Sequence, residues 1–199
     1  IFAVFNAGAM KTSSVKSVNI INLTVNFLTP TDLQTGMGGF IGESSGFNIS
    51  NVITIKNSIV KGNLNISGSG SGGFVGKELN VAIKYCSSLC VINGINAGGI
   101  VGSKCVGYVY NCQSTGDISG LGAGGIVGAY FRGYVYYSKS LGNILNSCGG
   151  IAGLYMGASG ILCCCTYGNI SNSSGGIIAG SNSDTVYVQN SYSYGDFIN

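Results

Sequence analysis

The side chains best suited to chemistry in this 199-residue chain are six carboxylates and eight cysteines; histidine and tryptophan are absent. Glycoside hydrolysis and lyase chemistry need two or more acids close together. The acids here are Asp32, Glu43, Glu78, Asp117, Asp184 and Asp196, scattered along the chain. Without histidine, imidazole general-base catalysis and His-ligated metal sites are excluded. The thiols are Cys86, Cys90, Cys105, Cys112, Cys148, Cys163, Cys164 and Cys165. Their even number fits disulfides in an oxidising compartment. Cys148 with the Cys163–Cys165 run could be imagined around zinc, but no Cys-x-x-Cys pair exists. No metal, cofactor or catalytic residue is expected, and the chain reads as non-enzymatic.

What positions these residues is a repeat. A Gly-Gly pair followed by two apolar residues starts at Gly38, Gly72, Gly98, Gly124, Gly149 and Gly175, at spacings of 34, 26, 26, 25 and 26 residues. Each repeat also carries a β-branched residue (Ile55, Ile83, Val109, Val135, Ile161, Val188) and, three residues on, a small one (Ser58, Cys86, Cys112, Ser138, Cys164, Ser191). A glycine column follows at Gly62, Gly116, Gly142, Gly168 and Gly195, with Cys90 as a replacement. Two residues later stands Leu64, Ile92, Ile118, Ile144, Ile170 or Phe197. Alternation in runs such as GYVYNC has the strand period of two. One repeat cannot bury its own apolar side chains, so neighbours must stack.

The expected fold is therefore all-β, a parallel β-solenoid (β-helix) of about seven rungs with ~26-residue repeats, its strands ~4.8 Å apart. Phe40, Phe74, Ile100, Ile126, Ile151 and Ile177 should form one core column. Residues 1–37 read as divergent first rungs and 38–199 as clear repeats of one continuous domain. Glycines are expected at corners that need φ > 0. The long first spacing places six extra residues in a projecting loop around SSGFNISNV and two in the SGSGSG stretch.

The repeats GGIVGSKCVGYVYNCQSTGDISGLGAGGIVG resemble the GLUG-motif repeat: a Gly-Gly start with two apolar residues and a glycine, a middle Asn-Cys, then Thr-Gly-Asp and an apolar residue. The resemblance spans residues 38–199. It implies a β-solenoid of secreted or surface proteins, with no catalytic motif to transfer. Cys90, Cys163 and the extra residue of GGIIAG depart from the pattern.

Only 15 residues are charged, 8 % against a usual ~25 %, and the formal net charge is +3. No basic patch for nucleic acid emerges. No apolar run approaches the ~20 residues of a membrane helix. The first residues, IFAVFNAG, align on IVGAYFRG at Ile126, and the tail is in phase with the head. Phe2, Val4 and Phe5 at one end and Phe197 and Ile198 at the other are apolar where a cap would be charged. The expectation is head-to-tail association of copies into a fibre, with a longer parent chain as the competing explanation.

Five Asn-x-Ser/Thr sequons, at Asn22, Asn48, Asn65, Asn169 and Asn172, are candidate glycan acceptors in a secreted protein; chance occurrence in an Asn- and Ser-rich chain is the plain alternative. Cys86 and Cys112 occupy equivalent places on adjacent rungs, within disulfide reach; most cysteines read as buried thiols, since serine replaces them in the column. Tyr108 with Tyr134 and Tyr110 with Tyr136 form outward ladders. These serve either as a surface-binding stripe or as cross-strand stacking. The leading function is a structural, extracellular or cell-surface protein that polymerises with itself. The alternative is an adhesin-type module that binds glycan or a host surface through the tyrosines.

Overall fold

The computed structural model describes residues 17–43, 52–180 and 184–198, and these form a parallel β-solenoid with no helix. One sheet stacks seven strands in chain order: β1 (Ser17–Ile21), β3 (Val52–Lys56), β5 (Asn80–Lys84), β8 (Val106–Tyr110), β10 (Arg132–Tyr136), β12 (Ser159–Leu162) and β14 (Val186–Gln189). A second sheet stacks β2 (Thr24–Asp32), β4 (Ile59–Ile66), β6 (Ser87–Ser88), β9 (Gln113–Ser114), β11 (Lys139–Ser140), β13 (Cys165–Thr166) and β15 (Tyr192–Ser193), with β7 (Val91–Ile92) also on β4. All pairings are parallel. A third side is the Gly-Gly corner, stacked from Gly38 to Gly175 through five parallel bridges. Turns closed on every side number about five among the described residues, slightly fewer than the seven rungs expected.

The core follows the period-two pattern. Ile55, Ile83, Val109, Val135 and Ile161 share one inward register and are fully buried. Facing them, Phe74, Ile100, Ile126 and Ile151 are fully buried in the Gly-Gly column, each N–H bonded to the equivalent carbonyl of the next rung at 2.9–3.0 Å. Phe40 packs edge-on against Phe74 at 4.9 Å between centroids.

The Gly-Gly pairs are required by close approach rather than by backbone angle. None of them has positive φ, whereas one corner column is held left-handed by Asn57, Tyr85, Asn111, Tyr137, Cys163 and Asn190. A Cβ on Gly98 would overlap the carbonyl oxygen of Val101 in its own turn. A Cβ on Gly99 would overlap the carbonyl oxygen of Gly125 in the next rung and the Ser114 hydroxyl across the interior. Ser88, Ser114, Ser140 and Thr166 form an in-register buried ladder opposite the pairs. Small residues on both sides let the sheet and the corner meet.

The long repeat is accommodated differently from the sequence expectation. Six of its extra residues do fall between Ile41 and Ile55, mostly at 44–51 outside the described residues. The other two are not in SGSGSG. Val60 pairs Ser88 and Asn65 pairs Val91, so 61–64 bulge opposite two residues of the next rung. Gly62, at φ 91°, makes that bulge feasible. Consequently Ile66, not Leu64, stands in the Ile92 column. The bulge also explains Cys90: a Cβ on Gly116 would overlap the Cys90 carbonyl below it, but beneath Cys90 the bulge leaves room for a buried side chain.

Candidate functional site

The outer face of the first sheet is where the predicted tyrosine ladders lie. β8 and β10 are in register, so Tyr108 lies beside Tyr134 and Tyr110 beside Tyr136, flanking buried Val109 and Val135. Tyr134 is 50 % exposed and stacks on Tyr136 at 5.5 Å between centroids and 11° between planes. Gly160 on the next strand makes room for it: a Cβ there would come 2.6 Å from the Tyr134 ring. Tyr187 completes the column beyond Gly160.

The same face holds Arg132, which the sequence places beside the tyrosine stripe, and two lysines that spacing alone did not single out. Lys56 and Lys84 are direct register partners in the column that continues as Tyr110 and Tyr136. The Lys84 ammonium sits 5.1 Å from the Tyr108 ring centroid, a cation–π distance. Arg132 opens β10, exposed, on the same outward side as Tyr134. At the bordering corner Tyr85 and Tyr137 sit at φ 56° and 49° with their rings 5.5 Å and 5.4 Å from Tyr110, edge-on. Their signal was positional: both replace the asparagine of the Asn-Cys element.

Five of the six acids take part in links between rungs or in ion pairs. Asp117, Asn143, Asn169 and Asp196 stack as an Asx ladder. Asp117 Oδ1 accepts the Asn143 N–H at 2.8 Å, Asn143 Oδ1 the Asn169 N–H at 3.2 Å, and Asn169 Oδ1 the Asp196 N–H at 3.3 Å. Asp117 and Asp196 therefore stand three rungs apart, ~14 Å, and serve as links between rungs. Glu43 and Glu78 pair with Lys77 at 3.0 Å and Lys104 at 3.5 Å. Asp32 accepts from Asn65 Nδ2 at 2.9 Å.

The thiols are free, and all but Cys163 and Cys165 are buried. Cys86 and Cys112 do stack on adjacent rungs, each in the small-residue column. The column tolerates cysteine and serine alike for one reason. Each side chain donates to the carbonyl two residues back that opens the left-handed corner: Ser58 to Lys56 at 2.8 Å, Cys86 to Lys84 at 3.2 Å, Ser138 to Tyr136 at 2.9 Å. Burial pushes the Cys112 thiol well above the ordinary thiol range. It pushes Cys105, Cys148 and Cys164 up to about 12. Such thiols stay protonated near neutral pH and are poor nucleophiles. Among the described residues no cluster of three or more metal-ligating side chains occurs.

The sequons divide by environment. Asn22 and Asn172 are exposed at left-handed corners, φ 57° and 50°, although Asn172 Nδ2 also donates to Asn146 Oδ1 of the adjacent rung at 3.4 Å. Asn65 and Asn169 are half-buried and engaged in the rung-to-rung bonds above. Asn48 lies outside the described residues, as do Phe2, Val4 and Phe5. At the other end Phe197 bridges to Ile170 but is 83 % exposed, and the Ile198 N–H bonds Ile170 O at 2.9 Å. No helix among the described residues is long and apolar enough to cross a membrane. No family model, curated protein or solved structure matches the chain.

Proposed function

We propose that the chain is a non-enzymatic structural protein, placed outside the cell or on its surface, whose solenoid continues from one copy into the next to build a fibre. One observation carries this reading. The last described rung presents the inward column uncovered: Val188, in register with fully buried Ile161, is 48 % exposed, and Phe197 is 83 % exposed below buried Ile170. The outer edges of β14 and β15 are unpaired in the same rung. Another rung of the same shape would cover both, whether it comes from a longer parent chain or from a second copy; in the second case the contact is strand addition, heterologous and not closing. The resemblance to GLUG-motif repeats of secreted and surface proteins agrees with this placement, and Asn22 and Asn172 are the sequons whose exposure suits glycans. Sedimentation over a concentration series tests it: the wild type grows into larger species and Val188→Glu, which charges the end column, remains a monomer. Equal behaviour of the two proteins contradicts the proposal.

A second reading is supported by the register of the tyrosines. In this reading the first sheet is an adhesin-type face that binds glycan through Tyr108, Tyr110, Tyr134 and Tyr136. Replacing Tyr108, Tyr134 and Tyr136 together abolishes binding and leaves assembly unchanged if it holds.

A further inference from the structure

The strands of the first sheet carry charge of one sign. Among the described residues the carboxylates Asp32, Glu43, Glu78 and Asp117 are occupied in ion pairs or rung-to-rung hydrogen bonds. Lys77 and Lys104 are the cations in those ion pairs. Lys61 and Lys139, on the second sheet, also lack an acidic partner among the described residues, but that sheet carries Asp32, whereas the outer face of the first sheet carries cations alone. Its strands carry Lys56, Lys84 and Arg132 and no carboxylate. None of the three has an acidic partner. Lys56 and Lys84 are moreover direct neighbours on adjacent strands, an arrangement of like charges that weakens a sheet. The bordering corner adds a second cost. Tyr85 and Tyr137 hold left-handed angles at positions where Asn57, Asn111 and Asn190 adopt them more cheaply. Other corners hold left-handed residues as well, among them Glu78, Lys104, Tyr130 and Tyr155, so the feature particular to this face is the adjacent pair of lysines, one of them against the Tyr108 ring.

From this charge pattern we infer that the outer face of the first sheet binds an anionic polysaccharide, its carboxylates or sulfates taken by Lys56, Lys84 and Arg132 and its sugar rings by Tyr108, Tyr110 and Tyr134. The inference rests on the second reading above and names the class of glycan. The cations are few: Lys56 and Lys84 lie one rung apart and Arg132 stands two rungs beyond Lys84, ~10 Å along the axis. That density matches a chain with well-spaced acidic groups better than a nucleic-acid strand, which carries a phosphate every ~3.4 Å. The Tyr134–Tyr136 pair is already closed on itself at 5.5 Å between centroids. It therefore offers edges and hydroxyls to sugars and no slot for a base.

Affinity electrophoresis of the full chain tests this, using gels that contain polygalacturonate, the neutral glucan dextran, or single-stranded poly(dT). The expected result is retardation by polygalacturonate alone. It should fade as salt shortens the Debye length to about 3 Å. Lys56→Gln/Lys84→Gln/Arg132→Gln, with an unchanged far-UV circular dichroism spectrum, should bind polygalacturonate about tenfold more weakly. Equal retardation by dextran, or a triple variant that binds as wild type, overturns the anionic preference and leaves the tyrosine reading standing. Retardation by neither polysaccharide overturns both. Tighter binding of poly(dT) assigns the face to nucleic acid and overturns the inference.

Discussion

Gly99→Ala is the sharpest perturbation of the packing that closes each turn. The new methyl would overlap the Gly125 carbonyl oxygen and the Ser114 hydroxyl, and would lie 2.9 Å from Ile92 Cδ1. The isoleucine methyl and the hydroxyl can shift. The carbonyl cannot, because Gly125 is flanked by the bonds Gly99 N to Gly124 O, 3.2 Å, and Ile100 N to Ile126 O, 3.0 Å. Overpacking a core costs about 1–3 kcal/mol, and loosening one such bond adds about 1 kcal/mol. The expected loss is therefore about 2–4 kcal/mol, or a fall of about 1–2 M in the urea midpoint. Urea unfolding followed by far-UV circular dichroism reads it. The double variant Gly99→Ala/Ser114→Ala frees the hydroxyl's space and should recover only about 1 kcal/mol. A single variant within about 0.5 kcal/mol of wild type, or full recovery in the double, refutes the claim that rung-to-rung carbonyl contact demands glycine.

Three further outcomes follow from the same geometry. Ser140→Thr should stabilise the fold by about 1 kcal/mol. The buried Ser140 hydroxyl has no partner, whereas Thr166, the next rung's equivalent, donates to Gly176 O at 2.9 Å; an unchanged or lowered urea midpoint contradicts this. Cys112→Ser should change stability by less than about 1 kcal/mol in reducing or non-reducing buffer, since Ser138 makes the same bond one rung on. A large loss confined to non-reducing buffer shows instead that Cys86 and Cys112 are joined. Stability should be level below about pH 9 and decline between 9 and 12. Cys105, Cys148 and Cys164 keep their protons up to about 12 when folded, against an ordinary value of 9.0. The unfolded chain thus releases protons first as pH rises. Midpoints that rise over that interval contradict the assignment of these thiols to the core.

Much of the fold was legible because a solenoid writes its period into the chain. Gly98 to Gly124 and Ile83 to Val109 repeat at one spacing, and the bridges follow it. The reason for the glycines was not legible. A Gly-Gly pair looks alike whether it serves a left-handed corner or a close approach, and only the positions of Ser114 and the next rung's carbonyl separate the two. The bulge at 61–64 was hidden for a similar reason: SGSGSG has loop composition, yet pairs in step with its neighbour, while KGNL lies between apolar residues of one strand and carries the extra residues. On the candidate face, the tyrosine register was readable from Tyr108 and Tyr134. The bareness of Lys56, Lys84 and Arg132 was not, because it depends on where every carboxylate goes in three dimensions.

Electron microscopy of the purified protein tests the central claim most directly. End-to-end continuation predicts filaments one solenoid wide, many subunits long, with an unbroken axial spacing of ~4.8 Å along their length. A field of uniform single rods that stays unchanged as concentration rises contradicts it.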